Sequence, residues 1–233
     1  MNVFFLVDYD NIPDEHKRYG AAALIVRLHA LGSAHVPTGS DFFVRLYGGW
    51  YTTSGLTNAG TRLTQEVQRD CPLVISDGNS IVRRVHCELA SSLLEVPGHI
   101  LGWTMRQRRG IRSRLTRRHP PGCHSPTLCS IDRTVAWSRG QCAEVGCSVP
   151  ANDAFVYSEQ KLVDTILCCD LLSLALRSPA PETFVVSDDD DMLPALIMAA
   201  KVGGTVWRCS PRSSGASFYA PALSHHTVRT ISL

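Results

Sequence analysis

The stretch "TFVVSDDDDMLPALIMAAKVGGTVWRC", residues 183–209, reads as a buried strand, an acidic turn, a helix stopped by glycine and a second buried strand. A wholly apolar run of four or five residues on each side of a helix is the pattern of a strand covered on both faces. Such a β-α-β unit requires a right-handed crossover and a parallel sheet. Four consecutive aspartates at the end of the first strand repel one another unless positive charge sits among them. A solvated turn and a divalent cation are the two readings that this run leaves open.

The same rhythm extends outward. "VFFLV" (3–7) is an apolar strand emptying into acid, "AAALIVRLHAL" (21–31) a helix closing at Gly32, and "DFFVRLYGGW" (41–50) a strand ending in glycines. A helix is expected over 57–70, strands over 72–76 and 98–105, and a helix over 158–176 with Ser158 as its N-cap. Residues 80–96 begin like a strand and end like a helix. The expected fold is α/β, a Rossmann-like central parallel sheet flanked by helices, within a single domain of 233 residues.

Residues 106–150 break the pattern and read as a basic, cysteine-containing insert. "RQRRGIRSRLTRR" holds Arg106, Arg108, Arg109, Arg112, Arg114, Arg117 and Arg118 with no acid between Val96 and Ile131. The net charge is only +2, so the rest of the chain is acidic. Clustered guanidinium groups favour phosphate-rich partners, against the alternative of a solvated loop. Cys123, Cys129, Cys142 and Cys147, with His124 as a substitute, offer four soft ligands for a structural Zn²⁺; free thiols are the other reading. Cys71, Cys87 and Cys209 are expected in the core. No apolar run is long enough to span a bilayer, and no basic segment precedes an apolar one at the start, so a cytoplasmic protein is expected.

The acids fall where ligands gather in open α/β sheets, beyond the carboxyl ends of strands. Asp8 follows the first strand, Asp189 and Asp191 follow the strand 183–187, and Asp164 lies near the start of the helix 158–176 with Lys161 three residues before it on the same helix face. Converging carboxylates can hold Mg²⁺ or Mn²⁺. Asp170 sits about 120° around that helix and is not expected to share the cation. Trp50, Tyr47 and Tyr51 at a strand end could stack on unpaired bases or simply pack.

Three stretches resemble the motifs of the NYN domain family, a branch of the PIN-like ribonucleases. "FLVDYDNI" (5–12) carries Asp8 and Asn11, "QKLVDTILCCDLL" (160–172) carries Lys161 and Asp164, and "VVSDDDDMLPAL" (185–196) carries Ser187, Asp189, Asp191, Pro194 and Leu196. Asp188 stands where the motif has Gly, and Met192 where it has an aromatic residue. The resemblance implies a metal-dependent endoribonuclease. Asp8, Asp164, Asp189 and Asp191 would be its catalytic metal-binding acids, and Asn11, Lys161 and Ser187 would support them. Its implied partner is nucleic acid, RNA above all, with no membrane; a second copy or a protein partner stays open. Two other readings remain: an RNA-binding module of the same fold that cuts poorly, and a haloacid-dehalogenase-like phosphatase with Asp8 as nucleophile and Asp10 as acid.

Overall fold

The computed structural model describes residues 2–37, 39–76, 82–97, 104–109, 134–135, 137–138, 145–212 and 220–233. The chain divides into two units, one of residues 1–104 and 160–233, the other of residues 105–159.

The first unit is built on strands β1 (Asn2–Asp8), β2 (Asp41–Tyr47), β5 (Leu73–Ser76), β6 (Val82–Leu89), β9 (Glu182–Val186), β10 (Thr205–Ser210) and β11 (Arg229–Ser232). A hairpin of β3 (Tyr51–Thr52) and β4 (Gly55–Leu56) follows β2. The seven strands form one sheet in the order β11-β10-β9-β1-β2-β6-β5. Every pairing is parallel except β5 against β6. The α/β class and the mostly parallel sheet follow the sequence expectation. Of residues 80–96, those from 82 onward form β6, which pairs with β2, and then turns; their helix-like ending does not form a helix.

The period-2 alternation of β1 explains why helices cover both faces. Val3, Phe5 and Val7 face one core with α2 (Gly20–Ser33) and α3 (Asn58–Asp70). Phe4 and Leu6 face the other, with α5 (Val163–Ala175) and α6 (Leu193–Lys201). On the first face the rings of Phe42, Phe5, Phe184 and Trp207 stack in sequence across the strands, with centroids 6.4, 4.7 and 5.3 Å apart. Short helices α1 (Asp14–Lys17) and α7 (Ala220–His225) complete the unit. Thr57 caps α3, its side chain accepting a hydrogen bond from the Gly60 N–H at 3.1 Å.

Two helix boundaries differ from the sequence reading. Gly32 does not close α2 but lies within it, because a β-carbon there would meet the Phe42 and Phe5 rings at 2.8 and 2.9 Å. The helix expected over 158–176 starts only at Val163. Ser158 belongs to strand β8 (Val156–Gln160), and Leu162 turns the chain with a left-handed φ of 67°.

The second unit contains β7 (Met105–Arg109), which pairs with β8, and the short helix α4 (Ala151–Ala154). Arg108 Nε forms an ion pair with Glu159 Oε2 there, at 2.7 Å. Arg112, Arg114, Arg117, Arg118, Cys123, His124, Cys129 and Cys142 lie outside the described residues, as does most of the strand expected over 98–105. Cys147 is described and exposed. Among the described residues no helix is long and apolar enough to cross a membrane.

Candidate functional site

β1 is the point at which the sheet reverses its winding. From it the chain steps outward through β2 to β6, and later returns to its other side with β9 and proceeds to β10 and β11. The gap beyond the carboxyl ends of β1 and β9 is therefore a topological switch point, where open α/β sheets bind ligands. Val7 and Val186 are register partners, so Asp8 and Ser187 leave the sheet side by side.

Asp8 is buried, with 4% of its surface exposed. Its Oδ2 accepts hydrogen bonds from Asn11 Nδ2 at 2.6 Å and Ser187 Oγ at 3.0 Å, and Asn11 Nδ2 also lies 3.3 Å from Ser187 Oγ. Burial raises the Asp8 pKa above its ordinary value, only partly countered by the bonds from Asn11 and Ser187. Ser187 Oγ in turn accepts the Asp189 N–H at 3.0 Å, and Asp189 Oδ1 accepts the Asp191 N–H at 3.0 Å. One chain of hydrogen bonds thus links Asn11, Asp8, Ser187, Asp189 and Asp191.

Asp164 stands in the first turn of α5. Desolvation raises its pKa, and the like charges of Asp8, Asp189, Asp191 and Asp10 raise it further, in that order. That ranking places its carboxyl in the field of the other three acids named by the sequence. Lys161 precedes α5 and cannot share a helix face with Asp164; its N–H donates to the Thr104 carbonyl at 2.9 Å.

The aspartate quadruplet sorts into two pairs. Asp189 and Asp191 belong to the hydrogen-bond chain just described. Asp188 and Asp190 turn toward β10, where Arg208 is 6% exposed. Its Nη2 donates to the Asp188 carbonyl at 3.1 Å and the Asp190 Oδ1 at 3.2 Å, while Ser210 Oγ donates to Asp188 Oδ1. Arg212 Nε lies 3.9 Å from Asp188 Oδ2. Part of the positive charge that four adjacent acids demand therefore comes from the protein itself. The sequence signal was present: a lone arginine inside "TVWRC", an otherwise apolar strand, needs a buried acceptor.

Other candidates resolve differently. Tyr47 and Trp50 are each 1% exposed; the Tyr47 hydroxyl donates to Asp170 Oδ2 at 2.7 Å and Trp50 Nε1 to the Leu46 carbonyl at 2.9 Å. They pack and are closed to bases, while Tyr51 is half-buried. Asp170 also accepts the Leu94 N–H at 2.8 Å and forms an ion pair with Arg45, whose Nε lies 3.1 Å from Oδ2, so it belongs to a structural network. Asp10 binds the Gly49 N–H at 3.1 Å and the Gln160 amide.

Among the described residues no three His, Cys, Asp or Glu side chains stand close enough together to enclose a metal ion. The donors of the crevice are nonetheless all hard oxygens, and Mg²⁺ is commonly held by one or two carboxylates with water and substrate phosphate filling its other positions. Compared with known proteins, the chain matches no family model, no curated protein and no solved structure.

Proposed function

We propose that the crevice between β1 and β9 is a divalent-metal-dependent site hydrolysing phosphodiester bonds, with RNA as substrate. The observation that carries this reading is the joint field of Asp8, Asp164, Asp189 and Asp191 at the switch point, with Asp8 and Asp164 both made reluctant to ionise. Like charges gathered round one buried carboxylate are costly unless a cation or a proton relieves them. The oxygen donors suit Mg²⁺ or Mn²⁺, which one or two of Asp8, Asp189 and Asp191 would hold, with water and substrate phosphate at its other positions.

When bound, such a cation supplies charge for the scissile phosphate and lowers the pKa of a coordinated water. The chain's own residues do the rest. Asn11 and Ser187 fix the orientation of the Asp8 carboxylate. Asp164, whose proton affinity is raised, is suited to accept a proton from attacking water. In the second unit, the exposed Arg106, Arg108 and Arg109 of β7 favour a phosphate-rich partner.

Asp8→Asn and Asp189→Asn should each abolish Mn²⁺-dependent cleavage of labelled RNA while the circular dichroism spectrum stays unchanged. Full activity in both variants sinks the nuclease reading. Asp10→Asn should keep most activity, because Asp10 serves the Gly49 backbone; loss of a phosphatase activity in that variant would instead favour the aspartyl-nucleophile reading. The absence of three close-set ligands among the described residues favours a second reading, a nucleic-acid-binding module that cuts poorly. RNA binding that persists with no cleavage under any divalent cation selects it.

A further inference from the structure

β5 and β6 are the one antiparallel pair of the main sheet, with Leu73 opposite Val85. Continuing that register by two residues sets Cys71 opposite Cys87. Cys71, Leu73, Ile75, Val85 and Cys87 all pack on the same core, so the two cysteines also share a face. Directly opposed residues on one face have β-carbons about 4.5–5.5 Å apart, close to the roughly 3.5–4.5 Å of a disulfide. Each thiol lies close enough to shift the other's proton affinity, and neither residue is fully buried.

We propose that Cys71 and Cys87 form an oxidation site, a cross-strand dithiol that a small disulfide such as oxidised glutathione converts into an intramolecular disulfide. The inference is independent of the proposed hydrolase. The neighbouring Cys87 thiol pulls the Cys71 thiol below its ordinary pKa, whereas Cys71, together with burial, pushes Cys87 up. Cys71 is therefore the attacking thiolate. It displaces one glutathione and carries the other as a mixed disulfide. Cys87 then loses its proton, attacks the Cys71 sulfur and expels the second glutathione. Two protein thiols are oxidised and one small disulfide is reduced to two thiols. Competing cysteines are less apt: burial pushes Cys168 up to about 11, and Cys209 is buried with its thiol also raised.

The test uses the intact protein in glutathione buffers of graded oxidation, quenched with acid, alkylated and peptide-mapped by mass spectrometry. Of the nine cysteines, two should be lost to alkylation together, in a linked peptide joining Cys71 to Cys87, and both should return with dithiothreitol. In Cys87→Ala the glutathione adduct should persist on Cys71. A parent that keeps both thiols, or that holds glutathione on Cys71 without closing, overturns the proposal. So does preferential oxidation at Cys147, Cys168 or Cys169. The parent map alone decides if the variant fails to fold.

Discussion

Arg208 separates two kinds of aspartate, and substitutions around it should respond differently. Arg208→Met strands the Asp188 carbonyl and leaves Asp190 without its cation, so unfolding in urea should show a loss of about 2 kcal/mol. Asp190 is half-exposed, and Asp190→Asn should cost less than about 1 kcal/mol. Equal losses would mean that the arginine does not anchor the turn. Asp164 offers a test by pH. Its folded pKa lies above the ordinary aspartate value of 3.8, so the native state binds that proton more tightly than the unfolded chain. Its contribution to stability is then greatest in acid and is lost as pH rises from 3.8 through the raised value. Asp164→Asn should therefore raise the Tm relative to the parent at neutral pH, with the advantage shrinking in acid. Mn²⁺ should raise the parent's Tm and have less effect on the variant. A variant less stable than the parent at neutral pH would show that the acid is not under electrostatic stress.

At the scale of elements, the strands were the most legible part, because apolar runs buried on both faces leave little else for the chain to do. β1, β2, β5, β9 and β10 all lie where the sequence put them. Helix ends were read less well for identifiable reasons. Gly32 looks like a stop signal but is a point of close approach, and Leu162 adopts a conformation that leucine rarely occupies, which hides the start of α5. Gly32→Ala should push α2 off the Phe5 and Phe42 rings and destabilise the protein by about 1–3 kcal/mol in urea unfolding. An unchanged midpoint would show that the rings yield. The site's acids were legible from their places after strands. The partners of Arg208 and Gln160 were not, since they are distant in sequence and an inventory of acids does not look for counterions on the neighbouring strand.

Over the whole molecule, charge is concentrated in the arginine run, of which Arg108 already has an ion-pair partner in Glu159. If the run holds a nucleic-acid backbone, replacing Arg108, Arg109, Arg112 and Arg114 with Ala should weaken binding across sequences and flatten its salt dependence. Turnover at saturating substrate should survive. Affinity measured against salt concentration decides the matter: equal slopes for parent and variant remove the run from the interface.

The seam between β1 and β9 also sets a timetable. Ser187 is 179 residues downstream of the Asp8 carboxylate to which it donates. At about 5–20 residues per second, a ribosome needs roughly 10–35 s to bridge that interval. Meanwhile β1 can pair with β2, but its other edge waits, lined by Phe5 and Leu6, for a strand not yet made. A growing chain in that condition is a natural client for chaperones. Whatever chemistry the crevice performs cannot begin until β9 and the acids that follow it, Asp189 and Asp191, have been made.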